Sequence, residues 1–241
     1  MKLSDVLTTL QAGELNNLSL FDEAGQLKPE HQSKLRTSIN LGLTDLHTRF
    51  LLKIGKIKIN LIEGQVTYPI KPMYQVGNPA PPGTVQFIDA NGTKVRDNIL
   101  KINEVQDSHG RELSLNGHDG RFGVFTHSAL VLGVPENLWR DRGERSLYVT
   151  YRMNASLLKD CGDWDMDFDC LDVDLEYSHM YALCLFVASR LHNPQGFGPE
   201  TVHEGNNYWG KYLAECDRLD RDGLRIDDVA DNWKRRQKGF P

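Results

Sequence analysis

The chain has 241 residues, 39% of them hydrophobic and 25% charged, with a formal net charge of -5. That is enough apolar material for a sizeable core, and the longest uninterrupted apolar run, Ala182 to Ala188, falls far short of the roughly 18 residues that a membrane span needs. The charge is segregated, since eight acidic and no basic residues fall between Asp160 and Glu176, leaving +3 for the remainder.

Taken in chain order, Ser4 is placed to cap a short helix carrying Val6, Leu7 and Leu10, with Gly13 as its stop. Glu14 to Lys28 reads as a polar connector. Pro29 then opens a long amphipathic helix, because Leu35, Ile39, Leu43, Leu46, Phe50 and Ile54 recur every three or four residues, and Gly55 ends it. At Lys56 the period drops to two. Lys56–Leu61, the turn Glu63-Gly64 and Gln65–Ile70 read as a β-hairpin. Beyond a Pro/Gly-rich loop, the runs Thr84–Ala90, Val95–Val105, Glu112–Leu115, Phe122–Leu132 and Ser146–Met153 read as strand-bearing. Helical spacing returns at Leu175 and stops at Asn193-Pro194. A last helix is expected over Thr201 to about Leu219, closed by Gly223.

The expected fold is α+β: an antiparallel helical bundle (1–55 and 154–223), an inserted antiparallel β-rich domain, barrel or sandwich (56–153), and an extended C-terminal tail (224–241). One helix precedes the β-segment and two follow it, so a shared helical core requires the two ends of the insertion to lie close together. The N-terminus lacks the basic-then-apolar pattern of an export signal. Four cysteines form no CxxC pair and read as reduced thiols, Cys184 as a buried one.

Motifs for catalysis are missing. Neither GxSxG, GxxxxGK[ST] nor HExxH occurs, and His109 and His118 read as residues of a surface loop rather than of a zinc site. The alternating carboxylates Asp163, Asp165, Asp167 and Asp169, followed by Asp174, resemble a calcium loop only superficially. Phe168 stands where the sharp turn requires Gly, and the twelfth position is Asp rather than a bidentate Glu. The reading preferred is an exposed acidic interface loop, Asp163, Trp164, Asp165, Asp167, Phe168 and Asp169, whose aromatics pack on a neighbouring surface, while Asp172 or Asp174 complements the next helix's N-terminus. No enzyme activity, cofactor or metal is expected.

The stretch Ile39-Asn40-Leu41-Gly42-Leu43-Thr44-Asp45-Leu46-His47-Thr48-Arg49-Phe50, followed by a β-hairpin ending in Tyr68-Pro69-Ile70, resembles the opening of head–tail adaptors of short-tailed bacteriophages. Leu175-Glu176-Tyr177-Ser178-His179-Met180-Tyr181-Ala182-Leu183, then Val187-Ala188-Ser189-Arg190-Leu191 and Glu204-Gly205-Asn206-Asn207-Tyr208, is similar to that family's paired C-terminal helices. This resemblance covers about two-thirds of the chain. It implies a non-enzymatic virion protein, assembled in the host cytoplasm and located at the head–tail junction. Its implied partners are the portal protein, a tail or nozzle protein, further copies of itself in a ring, a dodecamer in that family, and double-stranded DNA passing through the lumen without sequence specificity. No membrane partner is implied.

Gly223 offers an exit from the last helix, and the apolar residues beyond it are too sparse for a self-sufficient core element. With the resemblance, this makes Leu224, Ile226, Val229, Trp233, Lys234, Arg235, Arg236 and Lys238 the expected portal-binding tail, Trp233 being its anchor. Two other classes compete: a metal-dependent hydrolase using the Asp163–Asp169 run, and a carbohydrate- or ligand-binding module in the β-domain.

Overall fold

The computed structural model describes residues 1–22, 27–91, 94–117, 122–158, 171–192 and 199–223, the side chains of 199–203 excepted. It is a mixed α+β protein with five helices and two three-stranded antiparallel sheets. The chain folds as two compact units, Met1–Leu52 with Ala155–Pro241, and Lys53–Asn154.

In the first unit, α1 spans Leu3–Ala12, α2 Pro29–Arg49, α4 Met180–Leu191 and α5 Pro199–Arg221. α2 has Pro29 in its first turn, Glu30 near the positive end of its dipole, and His47 and Arg49 near the negative end. Its stripe Leu35, Ile39, Leu43 and Leu46 is fully buried, as are Leu183 and Val187 of α4 and Tyr212 of α5; Tyr208 is only half-buried. Gly42 lies within this stripe because a Cβ there would come 2.7 Å from Leu183 Cδ1 and 3.0 Å from Phe186 Cδ1. A bare backbone is what lets α2 approach α4 so closely.

Several expectations need correction here. α2 ends at Arg49, not at Gly55: Phe50 is already extended, and Ile54 joins a strand and is 42% exposed. Ile54 fits both a helical stripe and a strand, and pairing with Arg152 decides for the strand. α1 starts at Leu3, so Ser4 lies inside the first turn, and the cap comes from Asp5, whose carboxylate accepts the Lys2 N–H at 3.4 Å. The 14–28 connector is not merely polar. Leu15, Leu20 and Leu27 are buried in the core, and Leu15 N–H donates to the Leu10 carbonyl at 2.9 Å. α4 begins at Met180, after a 3-10 turn at Tyr177–His179, rather than at Leu175.

The second unit holds β1 (Ile54–Asn60), β2 (Thr67–Pro69), β3 (Ile99–Gln106), β4 (Phe125–Ser128), β5 (Val131–Gly133), the short helix α3 (Glu136–Arg140) and β6 (Ser146–Met153). Strand order is β1-β6-β3 in one sheet and β2-β5-β4 in the other. The expected hairpin is therefore absent. A turn forms at Glu63-Gly64, but β1 pairs with β6 over seven residues and β2 with β5. β6 offers eight alternating residues with Leu147, Val149, Tyr151 and Met153 all inward, whereas β2 is three residues long and ends in Pro69, which has no N–H to donate. Tyr68 fixes the diverted turn instead, accepting the Ile62 N–H at 2.9 Å and donating to the Ile62 carbonyl at 3.3 Å.

Thr84–Ala90 and Glu112–Leu115 form only isolated bridges, at Ile88, Glu112 and Leu115. Gly55 faces Tyr151 across β1 and β6, and a Cβ there would stand 2.4 Å from the ring, so glycine leaves the room in which the buried Tyr151 lies. One core, built from Ile57, Ile59, Phe87, Val105, Leu132, Val149 and their neighbours, serves the unit.

Phe50, 3% exposed and edge-on to His179 at 5.1 Å, closes the helical core at the end of α2. Phe50→Ala is expected to cost about 3–5 kcal/mol, whereas Leu41→Ala, on the same helix but 52% exposed, stays within about 0.5 kcal/mol. Urea unfolding followed by circular dichroism measures both.

Candidate functional site

The residues expected to bind partners, Asp163, Trp164, Asp165, Asp167, Phe168 and Asp169 in the acidic loop and Leu224, Ile226, Val229, Trp233, Lys234, Arg235, Arg236 and Lys238 in the tail, lie outside the described residues. Their points of attachment are described. Before the acidic segment, the Asn40 amide of α2 grips Leu158 at both backbone groups, Nδ2 to the carbonyl at 2.9 Å and Oδ1 from the N–H at 2.8 Å. After it, Leu171–Leu175 runs against the first residues of the chain. Leu3 N–H donates to the Leu171 carbonyl, Val173 N–H to the Met1 carbonyl, and Lys2 pairs with Asp172 at 2.9 Å. Lys2 thereby holds the Asp172 carboxyl below its usual range. Asp172 meets Lys2, and the Asp174 carboxylate accepts the Ser156 N–H at 2.7 Å. The root of the tail is Gly223, whose φ of 68° ends α5 in the left-handed region that glycine favours.

Polar side chains inside the helical unit tie helices together. The Tyr212 hydroxyl donates to Asp45, which also accepts from Arg49 Nε at 2.6 Å, while the Arg49 guanidinium lies 5.5 Å over the Tyr212 ring. Burial first, and the Asp45 carboxylate second, push the Tyr212 hydroxyl far above its ordinary range, so it acts as a permanent donor joining α5 to α2. His192, 3% exposed, bonds the Glu14 carbonyl through Nε2 at 2.8 Å, contacts Glu204 through Nδ1 at 3.1 Å, and stacks on Tyr208 at 4.9 Å. Arg190 covers Phe186 and Trp209 at 5.2 and 5.7 Å.

Thiol chemistry is disfavoured at the described cysteines. Burial pushes Cys184 up to about 12 and raises Cys216 as well, which suppresses the nucleophilic thiolate.

In the β-unit, Asp107, His109 and Glu144 bring a ligand atom each within 4.8 Å of one another, a spacing open to a metal ion. Their existing partners argue otherwise. Asp107, fully buried, accepts the backbone N–H groups of His109 and Arg111 at 2.9 Å each and Arg111 Nε at 2.7 Å, with Arg142 Nη2 at 3.3 Å. Glu144 accepts the Ser108 hydroxyl at 2.6 Å. His109, on the loop expected from the sequence, is largely exposed and stands 3.6 Å from Glu144. Burial alone raises the Asp107 carboxyl, but the Arg111 and His109 donors outweigh it and hold the group below its usual value. Two guanidiniums also oppose the approach of a cation. The cluster is a clamp closing the loop after β3 onto the segment before β6, and sequence spacing gave no sign of it because Asp107 and Glu144 are 37 positions apart.

No family model matches the chain, and no curated protein matches it.

Asp107→Ala strands two backbone donors and two arginines, and is expected to cost about 3 kcal/mol, the low end for breaking a buried pair, because both arginines reach solvent. Because the folded Asp107 carboxyl lies below its unfolded value, its contribution is complete above about pH 4 and fades as pH falls through the folded value. A urea midpoint measured from pH 3 to 7 reports the loss, and added Ca²⁺, Mg²⁺ or Zn²⁺ is expected to leave that midpoint unchanged at neutral pH.

Proposed function

We propose that this chain is a structural virion subunit, a ring-forming adaptor that joins the portal to the tail of a short-tailed bacteriophage and encloses part of the DNA conduit. One observation carries the reading. The helical stretches that resemble such adaptors, Ile39–Phe50, Leu175–Leu183, Val187–Leu191 and Glu204–Tyr208, belong to one compact unit, in which α2 packs on α4 and α4 on α5. Segments this far apart in sequence thus build a single core, and the second, β-rich unit is inserted between them at residues 53–154.

In this reading the helical unit is the bundle, the β-rich unit is an inserted barrel or sandwich available to a second partner, and 224–241 is the portal-binding tail. The polar side chains agree with a scaffolding role, since Asp45, Tyr212, His192 and Asp107 all bind other parts of the fold. Helix-to-helix ties of this kind keep a subunit's shape fixed, and a ring closes only when every copy presents the same geometry. No helix among the described residues is long and apolar enough to cross a membrane. The hydrolase and carbohydrate-module readings have no specific observation in their favour.

Native mass measurement of the full chain, alone and mixed with portal rings, tests the proposal. The expected outcome is little or no ring for the chain alone and a stoichiometric ring on the portal, a dodecamer if the portal is twelve-fold; a chain that never joins portal rings overturns it. Deleting residues 224–241 is expected to leave the thermal transition nearly unchanged and to abolish attachment. Reversing the charges of Asp163, Asp165, Asp167 and Asp169 is expected to impair assembly more than folding.

A further inference from the structure

The segment Leu171–Glu176 is a strap that the chain's first residues and α2 hold in common. Its backbone pairs with Met1 and Leu3, the Asp174 carbonyl accepts His47 Nε2 at 2.9 Å, and just beyond it the Tyr177 hydroxyl donates to Asp5 at 2.6 Å. Just beyond the strap, a buried side chain seats the turn that leads into α4. His179 has no exposed surface, its ring stands edge-on to Phe50 at 5.1 Å, and its Nδ1 meets the Ser178 hydroxyl at 2.9 Å. Its Nε2 is buried and has no hydrogen-bond partner among the described residues, and neither has His47 Nδ1. Two imidazoles, 2% exposed or less, thus each keep one ring nitrogen unmatched at the place where the strap meets the helices.

We infer that His179 is a proton-operated latch: neutral, its ring completes the helical core and holds the strap down, and protonated, it leaves that core and frees the strap together with the residues paired to it. A neutral imidazole tolerates an unmatched nitrogen at modest cost, whereas an imidazolium there buries a charge and an N–H without an acceptor. The ring sits in the 3-10 turn that precedes α4 rather than within the helix. The groups facing it are Glu176 on its own turn, His47 on α2 and Glu215 on α5. Burial holds His179 below the usual imidazole range; the two carboxylates offset part of this, and Glu215 is itself tied to Arg218 at 2.7 Å.

The sign follows from linkage. With the folded value below the unfolded one, no proton is taken up on release above about pH 6.5, so the strap is fully held there; below it, release binds one proton and becomes up to about tenfold more favourable per pH unit, until the folded value is reached.

Hydrogen exchange by mass spectrometry on the full chain at pH 7.5, 6.5 and 5.5, corrected for intrinsic rates, tests this. Amides of 1–12 and 171–180 are expected to lose protection by up to about tenfold between pH 7.5 and 5.5, while those of β1 and β6 keep theirs. His179→Phe, which retains a ring but carries no proton, is expected to remove that loss. Equal protection at all three pH values overturns the inference, as does an unchanged loss in a folded H179F chain. Should H179F not fold, carbon-detected titration of the His179 ring in the unaltered chain decides instead: a midpoint clearly below the ordinary imidazole value of about 6.5 supports the latch, and an ordinary midpoint refutes it.

Discussion

Much of the helical unit follows from one constraint: α4 is buried almost all round. Ala182, Leu183, Cys184, Leu185, Phe186, Val187, Ala188, Ser189 and Leu191 are all inaccessible, so the helix needs neighbours on several sides. α5 and α2 supply two of them and α1 a third. Gly42 is there because α2 must come close, Tyr212 reaches across to Asp45 because α5 must be held in register with α2, and His192 ties the end of α4 to Glu14 beyond α1. None of α1, α2 or α5 has an apolar stripe wide enough to stand alone, and each is stabilised mainly by what it lays on α4.

The sequence disclosed the helices and missed the pairing of the strands, for a physical reason. Helical burial is periodic within a segment, so Leu35, Ile39, Leu43 and Leu46 reveal their common face without reference to anything else. Strand pairing is a competition between distant segments. Lys56–Leu61 and Gln65–Ile70 look like a hairpin in isolation, yet Ser146–Met153 offers β1 a longer alternating edge, and nothing local to β1 records that competitor. The same blindness hid Ile54, which suits both a helix and a strand, and the leucines of 14–28, whose spacing matches neither period but which are drawn into a core supplied by other segments.

Polar side chains were less legible still. The acidic run is legible because its charges alternate within one short segment, whereas the groups that matter to the described fold, Asp45, Asp107, Glu144, His179 and His192, are single residues whose partners lie up to 178 positions away. Asp107 offers no pattern at all until Arg111, Arg142 and two backbone N–H groups close on it. Composition could place a surplus of charge; only the fold distinguishes a carboxylate that faces outward from one that fastens two loops.

The β-rich unit enters and leaves through neighbouring strands. Ile54 faces Arg152, and Met153 N–H donates to the Lys53 carbonyl at 2.9 Å, so the first and last residues of the insertion are within one hydrogen bond of each other. In evolutionary terms this makes the unit a cassette. A helical scaffold that asks only for two ends about 5 Å apart accepts any module with that doorway, and the loop it must close costs the same whether a hundred residues or a tight turn fills it once the module has folded on its own. What lies between α2 and α4 can thereby change without redesign of the core that those helices build.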